Sequence, residues 1–325
     1  MHDFLSSTER YAELMIAIAT EQLSKTYVSG FRGKRRVQAL HDLTLSVESG
    51  EIFSLLGPNG AGKTTAIKIL LSLTRQTEGS ATLLGHDVSS PRARAKVGFL
   101  PENHRYPGYL TGQQVLRSFG ALSGISGVHL RSRAAMLLEL VGMKEWGRVK
   151  VKRYSKGMMQ RLGLAQAMVN DPDVLFLDEP TDGVDPVGRA EIRDVLRDLK
   201  TRGKTIFLNS HLLSEVELVS DRVAILDKGR LLKVGTVDEL TATGERYHVG
   251  LADGLTQAFR TEASAKVMAF VEERNGLVVD VASIPELNAV IDLLRRHGIQ
   301  IASVTKERST LEESFLSLIK REVAP

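Results

Sequence analysis

The chain has 325 residues, 42% of them hydrophobic and 25% charged, which is long enough for two folded domains. The absence of cysteine excludes a disulfide framework and any thiolate metal site. A formal net charge of +4 falls well short of a nucleic-acid-binding signature, and no apolar run reaches the ~18 residues of a membrane span.

In chain order, residues 1–14 read as an extension ahead of the first strand. MHDFLSSTERYAEL carries acidic residues and lacks the basic–apolar–small order of a signal peptide, and Met15 offers an alternative start. Arg32, Lys34, Arg35 and Arg36, beside Gly30 and Gly33, read as a solvated basic turn. From Ile16 to about Leu240, strand and helix patterns alternate. Ile52, Phe53, Leu55 and Leu56 read as a buried strand, and Thr65–Leu73 as a helix.

Between them Gly57, Pro58, Asn59, Gly60, Ala61, Gly62, Lys63 and Thr64 match G-x-x-x-x-G-K-[ST], with Thr65 following. A loop that wraps a polyphosphate turns its backbone N–H groups inward, and residues without a Cβ permit that approach. Lys63 suits the β- and γ-phosphates, and the Thr64 hydroxyl suits Mg²⁺. The following helix adds positive charge at its N-terminus.

The strand signal then vanishes between about Glu102 and Gln166, where GQQVLRSFGALSG and LRSRAAMLLELVGM read as amphipathic helices of an insertion. VLFLD, TIFLN and VAILD are short apolar runs suited to a mostly parallel sheet, and RLLKVGT returns after Lys228-Gly229 as an edge strand. VLFLDEP delivers Asp178 and Glu179 to a strand's C-terminal end, where α/β sheets hold ligands. Alone, Asp-Glu there is an ordinary exposed strand end. Paired with the phosphate loop, Asp178 reads as a Mg²⁺ ligand and Glu179 as the base that orients and deprotonates an attacking water.

After about Thr241, YHVGLA, GLVVDVA and IQIASVT alternate like half-buried strands. A helix over SIPELNAVIDLLRRHG is expected to be capped by Ser283 with Glu286. It buries Leu287, Val290, Ile291 and Leu294 and ends at Gly298. Ser309 with Glu312 repeats the device ahead of Leu311, Phe315, Leu318 and Ile319. Residues 244–325 thus read as a small α+β domain of ferredoxin-like type.

GPNGAGKTT, YSKGMMQRLGLAQAMVNDPDVLFLDEPTDGVDP and LNSHLLSEVE together resemble the nucleotide-binding subunit of an ABC transporter, in continuous order from Ile16 to Leu240. YSKGMMQR stands where that family's signature, usually Leu-Ser-Gly-Gly-Gln, opens a helix. Lys156 and Met158 replace the usual glycine and glutamine.

The resemblance implies a fold: an α/β P-loop NTPase (RecA-like) core over residues 15–240, with a helical insertion at about 102–166. It also implies ATP and Mg²⁺ as ligands. Site roles carry over one at a time. Tyr27 would stack on adenine, and His211 would meet the γ-phosphate. Ser155 and Gly157 would grip a γ-phosphate held by a second ATP-binding subunit, and Asp185 would lie in the loop crossing between them. Glu102 stands where the family commonly has a glutamine that touches Mg²⁺ or the water.

LPEN, YSKGM and the tail LEESFLSLI are most similar to ABC-2 type exporters, whose integral membrane permease subunits are separate chains. That places the chain at the cytoplasmic face of the membrane, with no nucleic-acid partner. An importer's ATPase and a soluble ABC ATPase acting on a macromolecule are the alternatives.

Overall fold

The computed structural model describes residues 16–29, 35–252, 254–265, 270–273 and 276–323. The extension at 1–14, Met15, and Arg32 and Lys34 of the basic turn lie outside the described residues. The chain divides into two compact units between Val237 and Asp238.

In the first unit, β1 (Ile16–Ser29) and β2 (Arg35–Glu48) form a long antiparallel pair, which β4 (Glu78–Leu83) and β5 (His86–Asp87) extend. A second sheet holds β3 (Ile52–Leu56), β6 (Val97–Leu100), β7 (Val174–Asp178), β8 (Thr205–Asn209), β9 (Arg222–Asp227) and β10 (Arg230–Thr236). Its order is β10-β9-β3-β8-β7-β6. All its neighbours pair in parallel except β10, which returns antiparallel on β9 at the edge, as expected for RLLKVGT. Every residue of β3, β7 and β8 is buried, which is why these strands read as unbroken apolar runs.

Phe53, Phe207 and Phe176 are register partners across β3, β8 and β7, with ring centroids 5.7 and 5.2 Å apart. Phe207 is fully buried between the other two. Replacing it with Ala removes both ring contacts and leaves a cavity. The expected loss is about 3–5 kcal/mol of unfolding free energy, read from denaturant midpoints at constant slope.

Helix α1 (Lys63–Leu70) follows the phosphate loop, and α2 (Pro91–Arg94) is a single turn. The former starts two residues before the Thr65 read from sequence, because Gly62 at φ +104° turns the chain directly into it. It stops before Leu73 because Ser72 takes a left-handed φ of +57°. Helices α3 (Gly112–Leu122), α4 (Gly127–Leu140) and α5 (Lys156–Ala167) fill the interval between β6 and β7, as the lost strand signal predicts. Thr111 and Gln114 form a reciprocal capping box on α3. Helices α6 (Pro186–Thr201) and α7 (Leu213–Val219) complete the unit.

The short α8 (Val237–Thr241) starts at the division, and the second unit continues with β11 (Ala242–Leu251), α9 (Gln257–Ala265), β12 (Phe270–Glu273), β13 (Gly276–Asp280), α10 (Ile284–Arg296), β14 (Ile301–Arg308) and α11 (Leu311–Val323). The antiparallel order β12-β13-β11-β14, with a helix after the first and third strands, is the split βαβ arrangement of ferredoxin-like folds.

Both expected caps need correction. Ser283 makes no side-chain cap bond. Glu286 instead accepts from the Ala282 N–H, one residue earlier. At α11 the reciprocal pair is Thr310 with Glu313, one position on from Ser309 and Glu312. The Ser309 hydroxyl is engaged with the Thr241 carbonyl and the Ser314 hydroxyl. On α10, Leu293 is buried where the sequence suggested Ile291, which is only partly buried against the same core. Among the described residues no helix is long and apolar enough to cross a membrane.

Candidate functional site

The site is built where β3, β7 and β8 end side by side. β3 runs into the loop Gly57–Gly62, and two glycines there are required by close approach. A Cβ at Gly57 would stand 2.3 Å from the Leu226 carbonyl oxygen, and one at Gly62 2.5 Å from that of Ala39. The Ala61 N–H donates to Pro58 O at 3.1 Å, and the Gly229 N–H to Ala61 O at 2.9 Å, so the β9–β10 turn buttresses the loop. Asn59 and Gly60 are exposed at its tip, Thr64 is exposed, and Thr65 is half-buried.

Lys63 is buried, and its ammonium donates to Gly57 O at 2.5 Å and Pro58 O at 3.2 Å. Burial pushes its pKa down, while the charges of Glu179 and Asp178 pull it back up. Asp178 ends β7, directly beside Asn209 at the end of β8. Asn209 Nδ2 donates to Asp178 Oδ1 at 2.5 Å. Burial raises the Asp178 pKa against that bond. The nearby Glu102 carboxylate raises it further, and Lys63 lowers it. Glu102 itself is exposed on the loop after β6.

Glu179 is buried and its backbone is left-handed at φ +53°, a conformation that costs a non-glycine residue of order 1 kcal/mol. Its N–H donates to Asn209 O at 2.8 Å. Its carbonyl accepts from the Asp182 N–H at 3.2 Å and from Gln160 Nε2 at 3.0 Å. The side chain therefore leaves the strand direction that Asp178 follows. Its carboxylate accepts from His211 Nδ1 at 2.8 Å and from the Ser210 hydroxyl at 3.2 Å. Burial raises the Glu179 pKa, and the His211 and Ser210 bonds lower it.

His211→Ala removes the largest of those lowering contributions. The Glu179 carboxyl then protonates at a higher pH. With Glu179 read as the base, which acts only when ionised, the acid limb of the kcat–pH profile is expected to move to higher pH.

The structure thus brings together Lys63, Asp178, Glu179 and His211, with Glu102 close enough to act on Asp178. The remaining candidates engage other groups. Ser155 is an exposed N-cap of α5, its oxygen accepting from Met158 N. Gly157 is half-buried, and a Cβ there would meet nothing closer than Val184 Cγ1 at 3.7 Å. Lys156 pairs with Asp182 at 2.7 Å on the surface. Asp185 caps α6 by accepting from Gly188 N at 2.9 Å, and that bond holds its carboxyl below the usual range. Tyr27, on β1, is partly exposed with the Lys25 ammonium 4.9 Å from its ring centroid.

Sequence reasoning missed Asn209, Ser210 and Gln160. Asn209 alone had a usable signal, because TIFLN ends in register with VLFLD and sets its last residue beside Asp178.

The family model described as ABC transporter matches residues 40–182. An ABC transporter ATP-binding protein of Synechocystis sp. is 39% identical over 305 residues, 93% of this chain and 84% of that protein. A daunorubicin resistance ATP-binding protein of Streptomyces coeruleorubidus is 38% identical over 287 residues, 86% of this chain and 91% of that one. A solved structure described as the ATP binding subunit of an ABC transporter matches with a TM-score of 0.61 at 27% identity, covering 69% of this chain and 91% of that one. With its phosphate loop, its buried acidic pair and relatives matched over nearly their full length, the chain belongs to the ABC transporter ATP-binding proteins and is an ATPase of that family.

Proposed function

We propose that this ATPase is the peripheral, cytoplasmic-face subunit of an ABC-2 type exporter, acting with separate integral membrane permease subunits. The observation that carries the reading is the buried Glu179 carboxylate, held by His211 and Ser210 beside Asp178 and Lys63. That arrangement supports hydrolysis of a phosphoanhydride by a positioned base. The resistance function in the name of the daunorubicin relative supports export over import.

In this reading the phosphate loop and Lys63 bind the β- and γ-phosphates of ATP. Glu179 takes a proton from the attacking water, and His211 orients Glu179. Tyr27 receives adenine. Ser155 and Gly157 offer a hydroxyl, backbone N–H groups and a helix N-terminus to ATP held by a second copy or a paralogue, and Asp185 faces the same junction. ATP then acts as the glue of a dimer, and loss of the γ-phosphate releases it.

Thr64, Asp178 and Glu102 form an all-oxygen donor set that fits Mg²⁺, which binds through one or two carboxylates together with substrate phosphates. Burial is the main cause of the raised Asp178 pKa and the Glu102 charge adds to it, so a cation beside Asp178 would be favoured. Bound with ATP, Mg²⁺ would supply charge that neutralises the phosphates.

Glu102→Gln keeps an oxygen ligand and removes one negative charge, so a substantial ATPase rate is expected to survive, within about tenfold of the parent. The whole reading is tested by affinity purification of the full chain from membranes. It requires recovery of a multi-span membrane protein in stoichiometric amount. Recovery of the chain alone, or with a soluble macromolecule, overturns it in favour of a non-transport ATPase.

A further inference from the structure

Gln160 lies in the second turn of α5, within the helix that Ser155 caps, and it is buried. Its amide nitrogen is 3.0 Å from the Glu179 carbonyl oxygen and 3.5 Å from that of Asp182. Both neighbours only accept, so the amide must present its NH₂ and not its oxygen to them. The oxygen, Oε1, is buried and meets no donor among the described residues. A buried amide with an orphaned oxygen costs free energy that an apolar side chain of the same length would not. Its opposite end grips the one non-glycine residue of the site whose backbone is left-handed, Glu179 at φ +53°. Strain of this kind persists where surrounding groups hold it in place. Here the Glu179 peptide is held on three sides, by Asn209 O, Asp182 N and Gln160 Nε2.

We infer that Gln160 is a positioning residue for hydrolysis, its buried amide holding the backbone of Glu179 so that the carboxylate keeps its reach. The inference rests on Glu179 being the base, as proposed above. Gln160 acts through Glu179, whose carbonyl oxygen its amide holds. It also lies about 7.5 Å along the helix axis from Ser155 on one rigid element. The end of α5 offered to a second subunit's ATP and the group that steadies this subunit's own base therefore move as one body.

The test uses the full chain with Gln160→Met, which keeps length and removes both donors and the orphaned oxygen. It is made alone and in combination with Glu179→Gln. Glu179→Gln is assayed first by itself, since near-normal turnover there would sink the assignment of the base and the present proposal with it, whereas the outcomes below bear on the proposal alone. With the base established, Gln160→Met is expected to lower kcat about 10- to 100-fold while KM for ATP stays within about twofold. Its melting temperature is expected to equal or exceed that of the parent, because a buried polar orphan is gone. In the Glu179→Gln background it is expected to add no further loss to the single-turnover rate, as residues acting as a unit are non-additive. A kcat within twofold of the parent, an equal loss in both backgrounds, or a chain that unfolds or melts earlier in step with its lost rate each overturns the proposal.

Discussion

Glu179→Gln is expected to abolish steady-state ATP hydrolysis, by a factor of about 10² to 10⁴, the range a positioned general base contributes. The substitution is close to isosteric. His211 Nδ1 and the Ser210 hydroxyl, at 2.8 and 3.2 Å, can both still donate to the amide oxygen. The fold and the loop at Gly57–Gly62 are therefore untouched, and ATP affinity is expected to remain within a few-fold of the parent. Bound but uncleaved nucleotide then accumulates, and the chain is expected to shift to a dimer when MgATP is added. Steady-state phosphate release, ATP titration and light scattering check the three parts separately. Phosphate release at the parental rate would remove Glu179 from the base position. Full inactivation without ATP-dependent dimerisation would keep the base and reject the two-subunit sandwich.

Lys63→Ala is expected to act at the opposite end of the cycle, on binding. The ammonium is buried and already carries a depressed pKa from desolvation. Taking it away relieves the dehydration of one charge but leaves Asp178 and Glu179 without its compensation and the Gly57 and Pro58 carbonyls without its donor, so the melting temperature without ATP is the baseline for each chain. ATP is a different matter. A charge-assisted contact to phosphate is lost, about 1.5–3 kcal/mol, which is about 10- to 150-fold in Kd. The readout is thermal: ATP raises the parent's melting temperature by mass action, and at the same ATP concentration the variant is expected to show little or no rise. A parental ATP-dependent shift in Lys63→Ala would show that the lysine does not reach the nucleotide.

The legible parts of this molecule are those whose information is contiguous. Gly57–Thr64 is one uninterrupted stretch, and VLFLD, TIFLN and VAILD are strands buried along their whole lengths, so each could be read without knowing its neighbours. The contacts that shape Glu179 were not legible, because they are made between segments. Ser210 comes from a strand end 31 residues away, and Gln160 from a helix 19 residues away. No local pattern announces either. The left-handed backbone of Glu179 was equally hidden, since nothing about a glutamate after an aspartate favours it. The one-residue errors at Ser283 and Ser309 have a simpler cause. Ser-x-x-Glu marks where a cap can form, and at both helices a neighbouring backbone group competed for the same side chain.

β3 is hydrogen-bonded along both edges, to β8 on one side and β9 on the other. A phosphate cradle rooted there behaves as an anvil, since displacing it would tear two ladders at once. In the proposed cycle, whatever closes on ATP travels toward this fixed jaw.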